Sequence, residues 1–488
     1  MRVLGIVFLI ALLFSSGCST FRDSYRDQLK VKRQINPVKQ DPVAYAPYKQ
    51  RWVKLGDVVE IDASSSVSLQ NKPLTYRWWL LEKPSGSTAK LQLYPDKVTL
   101  NIDVSGQYRV RLVANDGVFD SQPFDLLLST RLSDLDRVRV VALGDAGTGE
   151  PSQGFVGEAI RQVCEKQGCD FVLGMGDNIY KSGPESIKDA QFDKKFEEPY
   201  QNLKLPFFMV LGNHDSSGLS PGDGGFNARG QIEVEYSKHS KLWAMPDRYY
   251  QIKAPLQGEN IRFQPDQNPQ PLVELFALDS TPVTSAPDFI PRYRINLYSN
   301  NMGNWLSAGL HNSRAQWKLA YAHHPYLSNG KHGNAGDYDS INTYVDKYRL
   351  AKYLPRLNRH VFQRAAGTYY RNFFDEHMCG ELDMYLAGHD HNMQWLAPIE
   401  TCGKTHFVVS GAGAKSNKIF SPENNPFYWQ CSETIGFFWI DIVADTLTAK
   451  IYTVNPRGQG HQLAYAARFN QRNPSKVEVL HGERSCIN

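Results

Sequence analysis

Five short apolar runs in this 488-residue chain each end in residues that can hold a metal, and no other feature constrains the fold as much. Val138–Leu143 is followed by Gly144-Asp145-Ala146-Gly147, and Phe171–Gly174 by Gly176-Asp177-Asn178-Ile179-Tyr180. Phe207–Leu211 leads into Gly212-Asn213-His214-Asp215, Leu319–Ala322 into His323-His324-Pro325, and Met384–Ala387 into Gly388-His389-Asp390-His391. Short, predominantly apolar runs bounded by Gly or polar residues, with Arg139 the one charge among them, read as buried strands. Helix-like stretches at Val156–Lys166, Ile187–Glu198 and Trp305–Arg314 alternate with them, as α/β layers do. A further run at Leu275–Leu278 belongs to the same series, and after His391 the pattern turns strand-rich, at His406–Ser410, Phe437–Ile442 and Leu447–Val454. Two packed sheets with helices outside are expected from about Asp134 onward.

In open α/β sheets ligands collect outside the carboxyl ends of strands, where these residues fall. A single Gly-Asp or strand-end His is an ordinary turn. Five in chain order pool carboxylates, a carboxamide, imidazoles and a phenol, an O/N donor set suited to Fe, Zn or Mn rather than to a thiolate site. Asp177 has two oxygens and can span two cations roughly 3.5 to 4 Å apart. Glycine ahead of a ligand removes a side chain where the backbone turns close to the metals. If the segment is extended, His389 and His391 point the same way and reach neighbouring metals.

The series GDAG, GDNIY, GNHD, AHHP and GHDH resembles that of the calcineurin-like metallophosphoesterases. Tyr180, three residues after Asp177, narrows the resemblance to the purple acid phosphatases. FEEPYQNLKLPFFMVLGNHD, YLAGHDHNMQWL, VVSGAGAK and GFFWIDI are similar to the small, tartrate-resistant type. The resemblance covers Val138 to about Val454. It implies a four-layer αββα sandwich whose Asp145, Tyr180 and His391 hold a ferric ion. Asp177 is then shared, and Asn213, His323 and His389 hold a divalent Fe, Zn or Mn. His323 rather than His324 matches the family's ligand, and His214 and His332 match the outer pair that assists catalysis. Asp215 and Asp390 are expected to orient neighbouring histidines. The activity implied is hydrolysis of phosphate monoesters by a metal-bound hydroxide, with an acidic optimum; a phosphodiesterase or nucleotide hydrolase on the same metals is the nearest alternative. A surface adhesion protein with a vestigial site is a remoter one. The stretch from Gly333 to Cys379 is longer than in compact members and rich in Tyr and Arg, among them Tyr338, Tyr344, Tyr348, Arg349, Arg356, Arg364, Tyr369, Tyr370 and Arg371; it reads as a helical surface insertion.

A chain this long exceeds one core. Residues 47–132 carry short strand-like runs at Val58–Ile61, Leu74–Leu80, Val98–Ile102, Tyr108–Ala114 and Phe124–Leu128, with turn signals between them. They read as a small all-β sandwich with Trp78 in its core, and resemble the PKD-type immunoglobulin-like domain through DASSS, TYRWWL and GQYRVRLVANDG. The catalytic domain is then 133–488. Met1 and Arg2, the apolar Val3–Phe14 and the small residues before Cys18 have the layout of a secretory signal over 1–17. The segment resembles a bacterial lipobox, with Ser15 where Leu is usual. Ser19 after the cysteine fits an outer-membrane lipoprotein anchored by lipid at Cys18. Residues 18–46 are polar, contain Pro37 and Pro42, and read as a tether. Beyond Cys18 six cysteines remain, an even number that suits disulfides in an oxidising compartment, with the pairing open. A net charge of +4 without a Lys/Arg block argues against a nucleic-acid partner and leaves small phosphate esters as the expected substrates.

Overall fold

The computed structural model describes residues 41–486 apart from 54–55, 85, 105–106, 131–136, 218–221, 223, 225–227, 258–259, 285–294, 339–366 and 459. Residues 1–40, with the expected signal, Cys18 and most of the tether, therefore lie outside the described residues. The chain divides into two compact units at residues 132 and 133.

The first unit contains β1 (Gln50–Val53), β2 (Val58–Asp62), β3 (Thr75–Glu82), β4 (Leu91–Leu93), β5 (Lys97–Asn101), β6 (Gln107–Asn115) and β7 (Phe124–Thr130). They form two sheets, β1-β7-β6-β3 and β2-β5-β4. Alternation along β6 and β2 sends Tyr108, Val110, Val59 and Ile61 inward to a shared core with Val98, Leu100 and Leu128. Trp78 packs against that core and remains partly exposed. The tether assigned to residues 18–46 ends sooner than expected: Val43 bridges Val67, and Ala44 and Ala46 are buried. Small apolar side chains there fit the sandwich, a tertiary fact that local polarity conceals.

In the second unit the strands are β8 (Arg137–Leu143), β9 (Phe171–Met175), β10 (Phe207–Val210), β11 (Trp243–Ala244), β12 (Tyr250–Ala254), β13 (Val273–Ala277), β14 (Trp317–Tyr321) and β15 (Met384–Ala387). They continue as β16 (Met393–Leu396), β17 (His406–Ser410), β18 (Phe427–Cys431), β19 (Ile435–Val443), β20 (Thr446–Val454), β21 (His461–Asn470) and β22 (Asn473–His481). One sheet has the order β11-β10-β9-β8-β19-β20-β21-β22, the other β12-β13-β14-β15-β17-β16-β18. Strands β8 to β11 run parallel, as do β13, β14, β15 and β17. Every residue of β9, β10, β13 and β15 is buried, as strands covered on both faces must be.

A single core joins the inner faces of the sheets, with Val140, Phe438 and Ile440 from one and Leu319, Leu386 and Trp395 from the other. On the outer face of the second sheet, Met302, Leu306 and Leu310 of the helix Ile295–Asn312 and Phe374 of the helix Thr368–His377 pack on Phe276, Ala320 and Tyr385. The helix Pro151–Gln167 lies against the first sheet through Val156, Ile160 and Val163. It starts at Pro151, whose missing N–H costs nothing at that position, and stops at Gly168, whose φ of 82° returns its N–H to Cys164 O at 2.8 Å. The layers are thus helix, sheet, sheet, helix, the sandwich expected. The helix expected at Ile187–Glu198 begins only at Gln191, and the one at Trp305–Arg314 extends back to Ile295.

The insertion corrects one expectation. Tyr338 and Tyr370 at its described ends are buried, and Tyr370 bonds Tyr385, so these ends are core rather than surface. Tyr344, Tyr348, Arg349, Arg356 and Arg364 lie outside the described residues. Disulfides join Cys164 to Cys169, Cys379 to Cys402 and Cys431 to Cys486.

Candidate metal centre

The carboxyl ends of β8, β9 and β10 in one sheet and of β14 and β15 in the other bring the residues singled out above together. Oδ1 of Asp145 lies 2.8 Å from Oη of Tyr180 and 3.3 Å from Nε2 of His391, and those two atoms are 3.3 Å apart. A second group forms beside it. Nε2 of His323 is 2.9 Å from Oδ1 of Asn213, 3.1 Å from Nδ1 of His389 and 3.4 Å from Oδ1 of Asp177. Asp177 also faces Tyr180 electrostatically, so it borders both groups.

In the first group the Tyr180 phenol donates to Oδ1 of Asp145, whereas in the second acceptors are set against acceptors. His323 uses Nδ1–H to donate to Met175 O at 2.9 Å, which leaves Nε2 with a lone pair. Asn213 uses its amide N–H on Gly222 O, which leaves Oδ1 as an acceptor too. Lone pairs facing one another at about 3 Å repel unless a cation or a proton lies among them. The chemistry of the donors therefore fits a pair of metal ions: Asp145, Tyr180 and His391 could hold one, Asn213, His323 and His389 the other, with Asp177 between.

The charges point the same way. Burial, then Asp145 and Asp177, push the Tyr180 phenol well above its ordinary range, so a phenolate here requires a compensating cation. Burial opposes a charge on His323, yet Asp177 and Asp145 hold its pKa above the usual imidazole range. A positive charge is favoured where those carboxylates meet.

Backbone geometry is unusual at the same places. Asp145, Asp177 and His389 have φ of 59°, 53° and 68°, a left-handed region that non-glycine residues avoid, and such strain clusters at functional sites. A Cβ at Gly212 would lie 2.2 Å from Oδ1 of Asp177, and one at Gly388 2.5 Å from Oδ2 of Asp145, so only glycine admits those carboxylates. The His389–His391 segment is not extended, contrary to the simple alternation expected. Left-handed His389 bends the chain so that its Nδ1 joins His323 while Nε2 of His391 joins Asp145 and Tyr180.

His324 lies beside the second group, its ring 4.6 Å from that of His389, with Nδ1 engaged 2.9 Å from Oγ of Ser280. His214 donates from Nδ1 to Lys181 O at 2.6 Å, and its Nε2 lies 4.0 Å from Oδ2 of Asp177. The His332 ring sits 4.1 Å from that of His389, and its backbone N–H donates to Oδ1 of Asp390 at 3.0 Å. Burial, only partly opposed by Asp390, lowers the His332 pKa.

Asp215 differs from expectation, because it holds backbone and no histidine, whereas Asp390 holds His332 through its backbone N–H. Asp215 accepts from the N–H of Gly212 at 2.7 Å and of Ile179 at 2.9 Å, tying the loops after β10 and β9. Asp390 accepts from Ser328 Oγ at 2.5 Å as well as from His332 N–H. Two residues escaped the sequence reading. Asn417 donates its backbone N–H to His391 O at 2.6 Å and has Nδ2 3.2 Å from Nδ1 of His391. Lys415 places its ammonium 3.3 Å from the centre of the Tyr180 ring. Both come after β17, so the strand-end rule that picks out the other residues also points toward them.

A family model described as calcineurin-like phosphoesterase matches residues 138–393. Among curated relatives, tartrate-resistant acid phosphatase type 5 of Sus scrofa is 28% identical over 300 residues, 58% of this chain and 72% of that protein. Purple acid phosphatase 3 of Arabidopsis thaliana is 25% identical over 334 residues, 65% of this chain and 75% of that protein. The solved purple acid phosphatase PPD1 from yellow lupin (Lupinus luteus) seeds is 15% identical, with a TM-score of 0.44 over 92% of this chain and 77% of that one. With the family model spanning more than half of its length, the chain belongs to the calcineurin-like phosphoesterases.

Proposed function

We propose that this chain is a phosphatase that hydrolyses phosphate monoesters at a dinuclear metal centre, with Fe(III) beside Tyr180 and a divalent Fe, Zn or Mn beside Asn213. One observation carries the reading: Asp145, Tyr180 and His391, and beside them Asn213, His323 and His389, converge as two groups of metal-ligand side chains with Asp177 bordering both. Its acid phosphatase relatives support the choice of substrate.

A pair of cations held by Asp145, Tyr180, His391, Asp177, Asn213, His323 and His389 would supply the positive charge that acidifies a water and offsets the charge on the phosphoryl oxygens. The protein's own groups do the rest. His214, with Nδ1 committed to Lys181 O, keeps Nε2 for the substrate, and this atom binds a phosphoryl oxygen and delivers a proton to the leaving oxygen. His332, braced by Asp390 and packed on His389, is the second contact to the phosphoryl group.

Export with a lipid at Cys18, as in an outer-membrane lipoprotein, belongs to the same proposal. Its support is the run Val3–Phe14 ahead of Cys18 and three disulfides, which persist in oxidising compartments. Residues 47–132, which resemble a PKD-type module, are then a spacer.

Metal analysis, visible absorption and turnover test the function together. Iron with a purple band, and faster hydrolysis of an aryl monoester than of its diester or of nucleoside di- and triphosphates, is the expected result. A metal-loaded protein that cleaves only the diester overturns it. For the anchor, Cys18→Ala should move the protein from the membrane to the soluble fraction, and a wild type already soluble contradicts lipidation.

A further inference from the structure

We propose that Lys415 is a phosphate anchor of this centre and favours the dianion of a monoester over the monoanion of a diester. The proposal rests on the hydrolytic reading above and adds a determinant of its specificity.

Lys415 follows β17, whose carboxyl end lies beside that of β15 and opens on the same site. Its ammonium sits over the face of Tyr180, 3.3 Å from the ring centre, and the His214 ring is 4.5 Å from that same ring. The phenol face attracts the cation and holds it within reach of the groups proposed to meet the substrate. Half-buried, Lys415 makes no ion pair with a carboxylate among the described residues. Its electrostatic partners are Asp145 and Asp177, the two carboxylates that the metals would engage.

A partly desolvated ammonium whose counter-charges are taken by other cations calls for an anion. The only species the proposed reaction brings there is the phosphoryl group, and lysine binds phosphate as a point charge. A monoester near neutral pH carries more negative charge than a diester, so this cation stabilises the monoester more.

The test uses the metal-loaded full chain as wild type, Lys415→Met and Lys415→Arg. Methionine keeps the stem against Tyr180 without charge, and circular dichroism checks that each variant folds. Calorimetric titration with inorganic phosphate reads binding apart from turnover. Lys415→Met should weaken phosphate binding about 10- to 100-fold, the worth of one charge-assisted hydrogen bond. It should also raise KM for an aryl monoester more than for the corresponding diester. Lys415→Arg should stay within about threefold of wild type, since it keeps the charge but not the compact head. Phosphate binding by Lys415→Met equal to wild type overturns the proposal. A shifted visible band with unchanged phosphate affinity does so too, and assigns Lys415 to Tyr180 alone. Absent monoester turnover in the wild type instead removes the function proposed above.

Discussion

Oδ2 of Asp145 accepts the backbone N–H of His389 at 2.7 Å, joining the loop after β8 in one sheet to the loop after β15 in the other. That bond leaves Oδ1 to Tyr180 and His391, and it links the two ligand groups by a contact between sheets. Asp145→Asn can keep an oxygen for His389 while withdrawing an anionic donor. The variant should fold, carry one metal ion per chain instead of two, and lose the visible band. Two ions with an unchanged band would remove Asp145 from the centre.

His214 is proposed to act on substrate and not on metal. His214→Ala should therefore lower kcat by about 10²- to 10⁴-fold, the usual worth of a positioned acid or base, with metal content unchanged. Loss of metal along with activity would place the ring among the ligands.

Asp215 closes two loops with one carboxylate, through the N–H of Gly212 and of Ile179. Asp215→Ala orphans both buried donors, at about 1–3 kcal/mol each, and should weaken metal retention about 10- to 100-fold, as loss of a supporting partner does. Asp215→Asn, which keeps one acceptor, should fall between. Thermal melting and competition with a chelator read the two effects, and equal behaviour of the Ala and Asn variants would contradict the bridging role.

His406 lies far from the centre and titrates with the fold. It stacks on Phe469, accepts at Nδ1 from Trp395 Nε1–H at 3.2 Å and donates from Nε2 to Pro474 O at 2.9 Å, bonds that only the neutral ring makes. Burial first of all pushes its pKa down to about 4. The unfolded chain, with an ordinary imidazole near 6.5, takes up the proton sooner, so this group does not affect stability above about pH 6.5 and costs progressively more down to about pH 4, in all about 3 kcal/mol. His406→Gln, able to make both bonds without titrating, should escape the loss. Denaturant unfolding of both proteins between pH 4 and 7.5 checks this; a pH-independent difference would deny it.

The residues of the centre were legible because each is announced locally. A buried parallel strand is a largely apolar run, interrupted by Arg139 in β8, and the next residues stand at the sheet's carboxyl end, so Asp145, Asp177, Asn213, His323 and His389 can be picked out one strand at a time. Lys415 and Asn417 obey that rule less directly: they stand several residues beyond the end of β17, where only the folded loop shows that they turn back to the centre. Burial of Ala44 and Ala46 in the tether segment, and of Tyr338 and Tyr370 in the insertion, is not legible locally, because it depends on what distant strands present to them.

By itself, then, the order of residues determined the strands, the donor types and the family. Tertiary structure decided that Asp215 and Asp390 hold backbone, that left-handed His389 sends two histidines to different groups, which cysteines pair, and that acceptor atoms from two sheets oppose one another near 3 Å. Local pattern encodes which atoms a loop carries; the distance between atoms on loops more than a hundred residues apart is set only when the shared core brings the sheet ends together.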